Sequence, residues 1–348
     1  MNTLVTVVSA LLVFGFLIFI HEFGHYVFAR IFKVKIEEFS IGMGPRLVWY
    51  TSKKTNIKYS LSMLPIGGYV AMAGETFEDD DPNSFSKKPA WQRFIITIAG
   101  ASVNIIAGFL AMIILTSIIN IGNTTVAQFV DKSETGFEIS SSESNLMVGD
   151  EIVSIDGKRV YILDELSYEI MRRGHEPVDL TVIRNGEEIL LPDVVFPTLT
   201  EQGQTFGSMD FRVQRVEKSF SRVISFAMHK SVLIVRMCWE SLYDLISGRY
   251  TFAAVSGPVG ISTAIGDAVK EGFSSLLYIT TLISINLGVM NLLPIPALDG
   301  GRMITLLFEM ITKKKIPQKI EGIINTVGLF LLLGLTFVVM IKDVIQLF

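Results

Sequence analysis

The chain has 348 residues, of which 50 % are hydrophobic and 18 % charged, with a formal net charge of −4 and a mean hydropathy of +0.48. A soluble protein carries about a quarter charged residues, so this balance points to a bilayer. The charge shows no basic stripe for nucleic acid, and Cys238, the single cysteine, excludes an intrachain disulfide and a thiolate zinc cluster.

Crossing a bilayer as a helix takes about 20 apolar residues. Four stretches qualify, near 4–27, 94–120, 276–298 and 322–341. The first 20 residues contain no Lys or Arg, so the positive start of a cleavable signal peptide is missing and the first stretch reads as a retained anchor. The expected order is a first transmembrane helix over 1–30, a β-rich region and loop over 31–93 and a second transmembrane helix over 94–121. A compact α+β domain follows over 122–200, then a linker with interfacial amphipathic helices over 201–274. A third transmembrane helix over 275–301, a loop over 302–321 and a fourth transmembrane helix over 322–348 complete the chain.

Inside the first stretch stands His21-Glu22-Phe23-Gly24-His25, an H-E-x-x-H pattern. At about 100° per residue His25 lies about 40° around the helix from His21, and Glu22 about 60° from His25. The three side chains therefore share one side. Two imidazoles at this spacing can bind one Zn²⁺, and Glu22 can take a proton from a metal-bound water, whose pKa falls to about 7. Burying such groups in an apolar span is costly unless they serve a purpose.

Residues 34–73 alternate short β-branched and aromatic runs with Gly-Pro, Lys-Lys-Thr-Asn and Gly-Gly, which predicts a β-hairpin or small sheet. It is either a cytoplasmic subdomain or a sheet that dips toward the active centre, where an exposed edge could pair with an extended peptide. In the second span Gly100, Asn104 and Gly108 recur every four residues, a smooth stripe for close helix packing. Asn104 is also a candidate substrate contact.

Within 122–200, "LMVGDEIVSIDGKRV" predicts a strand at Glu151–Ile155 between two turns, "ILDELSYEIMRRG" a helix ending at Gly174, and "VDLTVIRNGEEILLPDVVF" a hairpin turning at Asn185-Gly186. Residues 217–247 place apolar groups at helical spacing but interrupt them with His229, Lys230, Arg236, Glu240 and Asp244, the pattern of an interfacial helix.

The third span closes in "NLLPIPALDGG". Zinc needs a third protein ligand, and His175 and His229 lie in segments assigned to the other side of the membrane. Asp299 suits the role: Pro294 and Pro296 break helical bonding beside it, and Gly300 and Gly301 let the backbone approach closely. Asn291 could cap the broken backbone or hold a substrate strand.

Charge orients the spans. Residues 28–93 carry ten Lys/Arg, whereas 122–220 carry nine against eighteen Asp/Glu. Positive loops stay in the cytoplasm, which places 28–93 and 302–321 inside and both termini and the acidic 122–220 segment outside. His21, His25 and Asp299 then lie at one depth, near the cytoplasmic face.

At these residues the chain resembles the site-2 protease family of intramembrane zinc metalloproteases, in particular its bacterial RseP-like members. H-E-F-G-H resembles that family's zinc-binding helix, and "NLLPIPALDGG" resembles its third-span motif. "GMGPRL", "LPIGGYVAMAGE" and "SGPVGIS" are similar to further family stretches, and "LMVGDEIVSIDG" resembles the core of a PDZ domain. The resemblance covers nearly the whole chain. It implies four transmembrane helices, a membrane-associated β-hairpin and one extracytoplasmic PDZ-like domain. It further implies a bacterial inner-membrane enzyme in which His21, His25 and Asp299 hold Zn²⁺ and Glu22 is catalytic. Asn104, Asn291, Pro294, Gly67, Gly68 and Tyr69 become candidate substrate contacts. The implied substrates are single-pass membrane proteins of the anti-sigma-factor type, or signal-peptide remnants, cut within the bilayer after a first cleavage elsewhere. Where the family pattern has A-G-P-x-x-N, this chain reads Ala99-Gly100-Ala101-Ser102-Val103-Asn104.

Two other classes remain open from the residues alone. An idle membrane scaffold would not need Asp299. A metal-ion transporter would carry polar groups along a path through several spans, which the sequence does not offer beyond the cytoplasmic half.

Overall fold

The computed structural model describes residues 3–75, 80–131, 137, 139–201, 204–249 and 255–346. The chain forms two compact units, one from residues 1–111 and 234–348, the other from 112–233. Among the described residues, four helices are long and apolar enough to cross a membrane: Leu4–Ile31, Ala90–Ile118, Phe273–Asn291 and Lys319–Ile345.

The first unit begins with α1 (Thr3–Ile31), whose last turn carries Arg30. Two long strands follow, β1 (Ile36–Thr51) and β2 (Lys58–Met72). They are more than a simple hairpin. Phe39 pairs with both Val70 and Tyr59, Ser40 with Tyr69 and Ser60, and Ile41 with Gly68 and Leu61. The ribbon bends back on itself, so 36–41 lies between 68–72 and 58–61. The bends need left-handed backbone, supplied by Gly44 (φ 87°) in β1 and Gly67 (φ 90°) in β2. Residues 68–72 thereby become an edge, with no strand on their other side among the described residues. Phe39, Val70 and Met72 bury against Ala29 of α1 and Ile96 of α2 (Ala90–Ile118), which anchors the ribbon to two spans.

Helix α2 meets α6 (Phe273–Asn291) through small residues. A β-carbon at Gly108 would sit 2.5 Å from Ile285 Cγ1, and one at Gly288 2.7 Å from the Ala101 carbonyl. This is the close-packing stripe expected of apolar helices that have no hydrophobic drive to associate in lipid. The third span ends earlier than the sequence pattern predicts, at Asn291 rather than 301. Pro294 and Pro296 cannot donate, Ala297 turns left-handed (φ 73°), and a new helix, α7 (Asp299–Thr312), begins. That helix replaces most of the loop expected over 302–321. Helix α8 (Gln318–Gln346) is the fourth span, and α5 (Pro258–Glu271) precedes the third.

The second unit is an α+β body. Strands β3 (Gly122–Phe129), β4 (Glu151–Ile155), β6 (Val178–Arg184), β7 (Glu187–Val194) and β10 (Phe211–Arg215) run in the order β10-β3-β4-β6-β7, with β5 (Lys158–Arg159) paired to β4. Helix α3 (Leu163–Arg173) stops at Gly174, and Asn185-Gly186 turn left-handed (φ 55° and 86°) between β6 and β7, as the Asn-Gly pair predicts. Ile152, Ile155, Leu166, Ile170, Leu180, Val182 and Phe196 form its core. A hairpin of β8 (Thr198–Glu201) and β9 (Gln204–Gly207) follows. The domain does not end at 200: Phe211 and Arg212 of β10 pair with Phe129 and Gln128, so the sheet draws in residues assigned to a linker. A strand of five residues leaves too short a pattern to be read locally. Residues 220–246 form one helix, α4 (Phe220–Ile246), as its spacing predicts.

Candidate active site

Helix α1 presents His21, Glu22 and His25 to a cavity of about 520 Å³ that is also lined by Asp299, Asn291, Arg302 and the edge residues Gly67, Gly68 and Tyr69. Asp299 is brought there by the broken third span. A β-carbon at Gly300 would lie 2.0 Å from the Leu293 carbonyl, and one at Gly301 2.5 Å from the Ile295 carbonyl. Only glycines let the start of α7 tuck beneath the 292–298 turn. Asp299 stands in the first turn of α7, where the helix dipole favours a negative charge.

Three atoms converge. His21 Nε2 and His25 Nε2 are 3.2 Å apart, and Asp299 Oδ2 lies 3.2 Å from the first and 3.3 Å from the second. The edge of a tetrahedron whose corners lie 2.0–2.1 Å from its centre, the range of zinc bonds to nitrogen and oxygen, is about 3.3–3.4 Å. The triangle therefore matches three corners of such a site with the fourth open. The protons tell the same story. His25 Nδ1 donates to the Ile96 carbonyl at 2.8 Å, which leaves the Nε2 lone pair facing inward. Asp299 Oδ2 is buried and receives no hydrogen bond. Two imidazole nitrogens and a carboxylate oxygen crowded this closely repel unless a proton or a cation lies among them, and their tetrahedral spacing fits a cation. His21, His25 and Asp299 are the one such cluster among the described residues.

Helix α2 forms the back wall. A β-carbon at Gly100 would meet His25 Nε2 at 2.3 Å and His21 Cε1 at 2.9 Å; one at Gly24 would meet the Ala99 carbonyl at 2.7 Å. The spacing Ile96, Gly100, Asn104 is thus an imidazole cradle as well as a packing stripe, a role its smoothness alone did not reveal. On the opposite wall, Gly68 brings the edge strand against the base: its added β-carbon would lie 3.0 Å from Glu22 Cγ and 2.9 Å from the Ser40 carbonyl. Arg302, one turn beyond Asp299, pairs with Glu75 and Glu321 and lies over the Phe85 ring at 5.5 Å.

Of the expected substrate contacts, Gly67, Gly68, Tyr69 and Asn291 line the cavity. Two of the expected substrate contacts stand elsewhere. Asn104 is fully buried, with its amide 3.3 Å from His21 Nδ1, so it faces a histidine and not the cavity. Pro294 is exposed in the turn after α6 and its work is to end that helix. His175 is exposed in a turn, and His229 pairs with Glu165 at 3.1 Å in the second unit.

A helix bearing H-E-x-x-H, closed by a distant carboxylate inside an apolar bundle, is the arrangement of a membrane metallohydrolase. The chain belongs to peptidase family M50, the site-2 proteases, whose profile matches residues 9–335, and it is a zinc metalloprotease. A Clostridium acetobutylicum protein named provisionally as a zinc metalloprotease is 35 % identical over 97 % of both chains. A Fusobacterium nucleatum protein named in the same way is 33 % identical over 99 % of both chains. The zinc metalloprotease RasP of Geobacillus kaustophilus is 28 % identical over 100 % of this chain and 99 % of its own.

Proposed function

We propose that this zinc metalloprotease cuts transmembrane segments of single-pass membrane proteins inside the bilayer, with His21, His25 and Asp299 as the zinc ligands and Glu22 as the general base. The observation that carries the assignment is the 3.2–3.3 Å triangle of Nε2, Nε2 and Oδ2 beside Glu22. Zinc, when bound, supplies a Lewis acid that lets water act as a nucleophile near neutral pH. Glu22 takes the proton of the attacking water and returns it to the leaving amine. The substrate must unwind first, because a helix hides its carbonyls in hydrogen bonds. The free edge of 68–72, which begins at the Gly68 contact with Glu22, supports a pairing that holds the segment extended across the cavity. Asn291, which also lines the cavity, can donate to that strand.

The substrates are of the anti-sigma-factor type, or signal-peptide remnants, already shortened outside. The 122–215 body is a PDZ-like extracytoplasmic domain that screens them. The lysine-rich 28–93 and 302–321 segments lie in the cytoplasm of a bacterial inner membrane, with both termini outside. In proteoliposomes holding a tagged transmembrane substrate, wild-type protein should cleave and a chelator should stop it. Glu22→Gln should lose all turnover while keeping its zinc. Cleavage by that variant removes Glu22 from the mechanism.

A further inference from the structure

We infer that Asn104 is a positioning residue for zinc: its side-chain oxygen accepts the Nδ1 proton of His21 and so fixes the tautomer and ring plane of that ligand. The inference rests on the ligand assignment above and adds to it a residue outside the cavity.

The two histidines need the same support and obtain it from the same helix by different means. A histidine that ligates through Nε2 must carry its proton on Nδ1, and that proton needs an acceptor. His25 uses the Ile96 carbonyl, at 2.8 Å. Among the described residues, His21 Nδ1 meets the Asn104 carboxamide at 3.3 Å, which presents Nδ2 while Oδ1 is buried without a partner. Turning the amide over about its last bond, an exchange of two atoms of nearly equal shape, sets Oδ1 opposite Nδ1. Oδ1 then accepts from Nδ1–H, and the buried oxygen is satisfied.

The surroundings hold Asn104 at this point. It is fully buried, and its own backbone carbonyl accepts the Ser284 hydroxyl at 2.8 Å. Ser284 stands on α6, the helix that leads to Asp299. One residue of α2 therefore touches α1 through its side chain and α6 through its backbone. Ile96, Gly100 and Asn104, spaced by four, supply acceptor, clearance and acceptor to the imidazole pair.

The test is zinc affinity of the full-length protein in nanodiscs, read by chelator competition, for wild type, Asn104→Leu and Asn104→Asp. Losing a ligand's outer partner costs about 10–100-fold in metal affinity. Asn104→Leu, similar in size but without an acceptor, should show that loss. Asn104→Asp keeps the acceptor and should bind zinc within a few-fold of wild type, which a packing role would not produce. Wild-type affinity in Asn104→Leu, or equal losses in the leucine and aspartate variants, overturns the role of Asn104. If the leucine variant does not fold, the aspartate variant still decides: zinc held within a few-fold supports the acceptor role and a large loss refutes it. Wild-type protein that binds no zinc would overturn the ligand assignment itself, and that result is read separately.

Discussion

Gly100 and His25 touch so closely that a β-carbon on the glycine would stand 2.3 Å from Nε2, the nitrogen that faces the other two ligand atoms. No side chain fits there, and the obstruction lies on the imidazole itself, which is held from behind by the Ile96 carbonyl. Gly100→Ala should therefore weaken zinc binding by about tenfold or more. Gly108→Ala is the matched control two turns along the same helix. Its β-carbon would meet the tip of Ile285, a side chain that can adjust, so it should cost about 1–3 kcal/mol of stability and leave zinc in place. Zinc stoichiometry and thermal unfolding of both variants check the contrast. Equal zinc content in the two would remove the cradle.

Gly68 separates substrate handling from metal binding. A methyl group there would press on the Ser40 carbonyl at 2.9 Å and Glu22 Cγ at 3.0 Å, and none of its three nearest atoms belongs to a zinc ligand. Displacing a strand or base by a fraction of an ångström to an ångström costs on the order of 10–100-fold in rate. Gly68→Ala should keep full zinc and lose cleavage of a transmembrane substrate by that factor. A variant that loses zinc instead would show that the ribbon supports the ligands.

The second unit carries a pH-dependent clamp. The Asp150 carboxylate accepts from Arg184 Nε at 2.6 Å and Nη2 at 2.7 Å and from the Met147 amide at 2.8 Å, with its side chain 1 % exposed. Burial alone would raise its pKa, but the Arg184 guanidinium and the Met147 amide outweigh it and hold the group below the usual carboxylate value. A depressed folded pKa means that the stabilisation is fully present above the unfolded value, about 3.9, and is lost as the pH falls through it toward the folded one. Wild-type protein should lose protection of β4 and β6 from hydrogen exchange below about pH 4. Asp150→Asn should cost about 3 kcal/mol at neutral pH and lose that acid-side slope. An unchanged slope in the variant would assign it to another carboxylate.

Much of this protein is local, and what is local can be read from the chain. His21, Glu22 and His25 share a face because 3.6 residues make a turn, whatever surrounds them. Asn185-Gly186 turn because those residues tolerate positive φ, and the four spans follow from apolar length. The third ligand lies between these cases. Pro294, Pro296 and Gly300 mark a broken backbone beside Asp299, and charge counting sets it level with the histidines, yet neither gives a distance.

The tertiary structure decided what depends on surfaces meeting. It placed Asp299 Oδ2 within 3.3 Å of both imidazoles and ended the third span at Asn291. Folding β1 back between two parts of β2 made 68–72 an edge, and β10 was drawn into the domain sheet. The same packing turned Asn104 from a supposed substrate contact into a partner of His21. Periodicity records which face of a segment is buried but not against what. The partner is chosen by the fit of many residues at once, and in this bundle that fit runs through glycines, which leave no side chain to announce it.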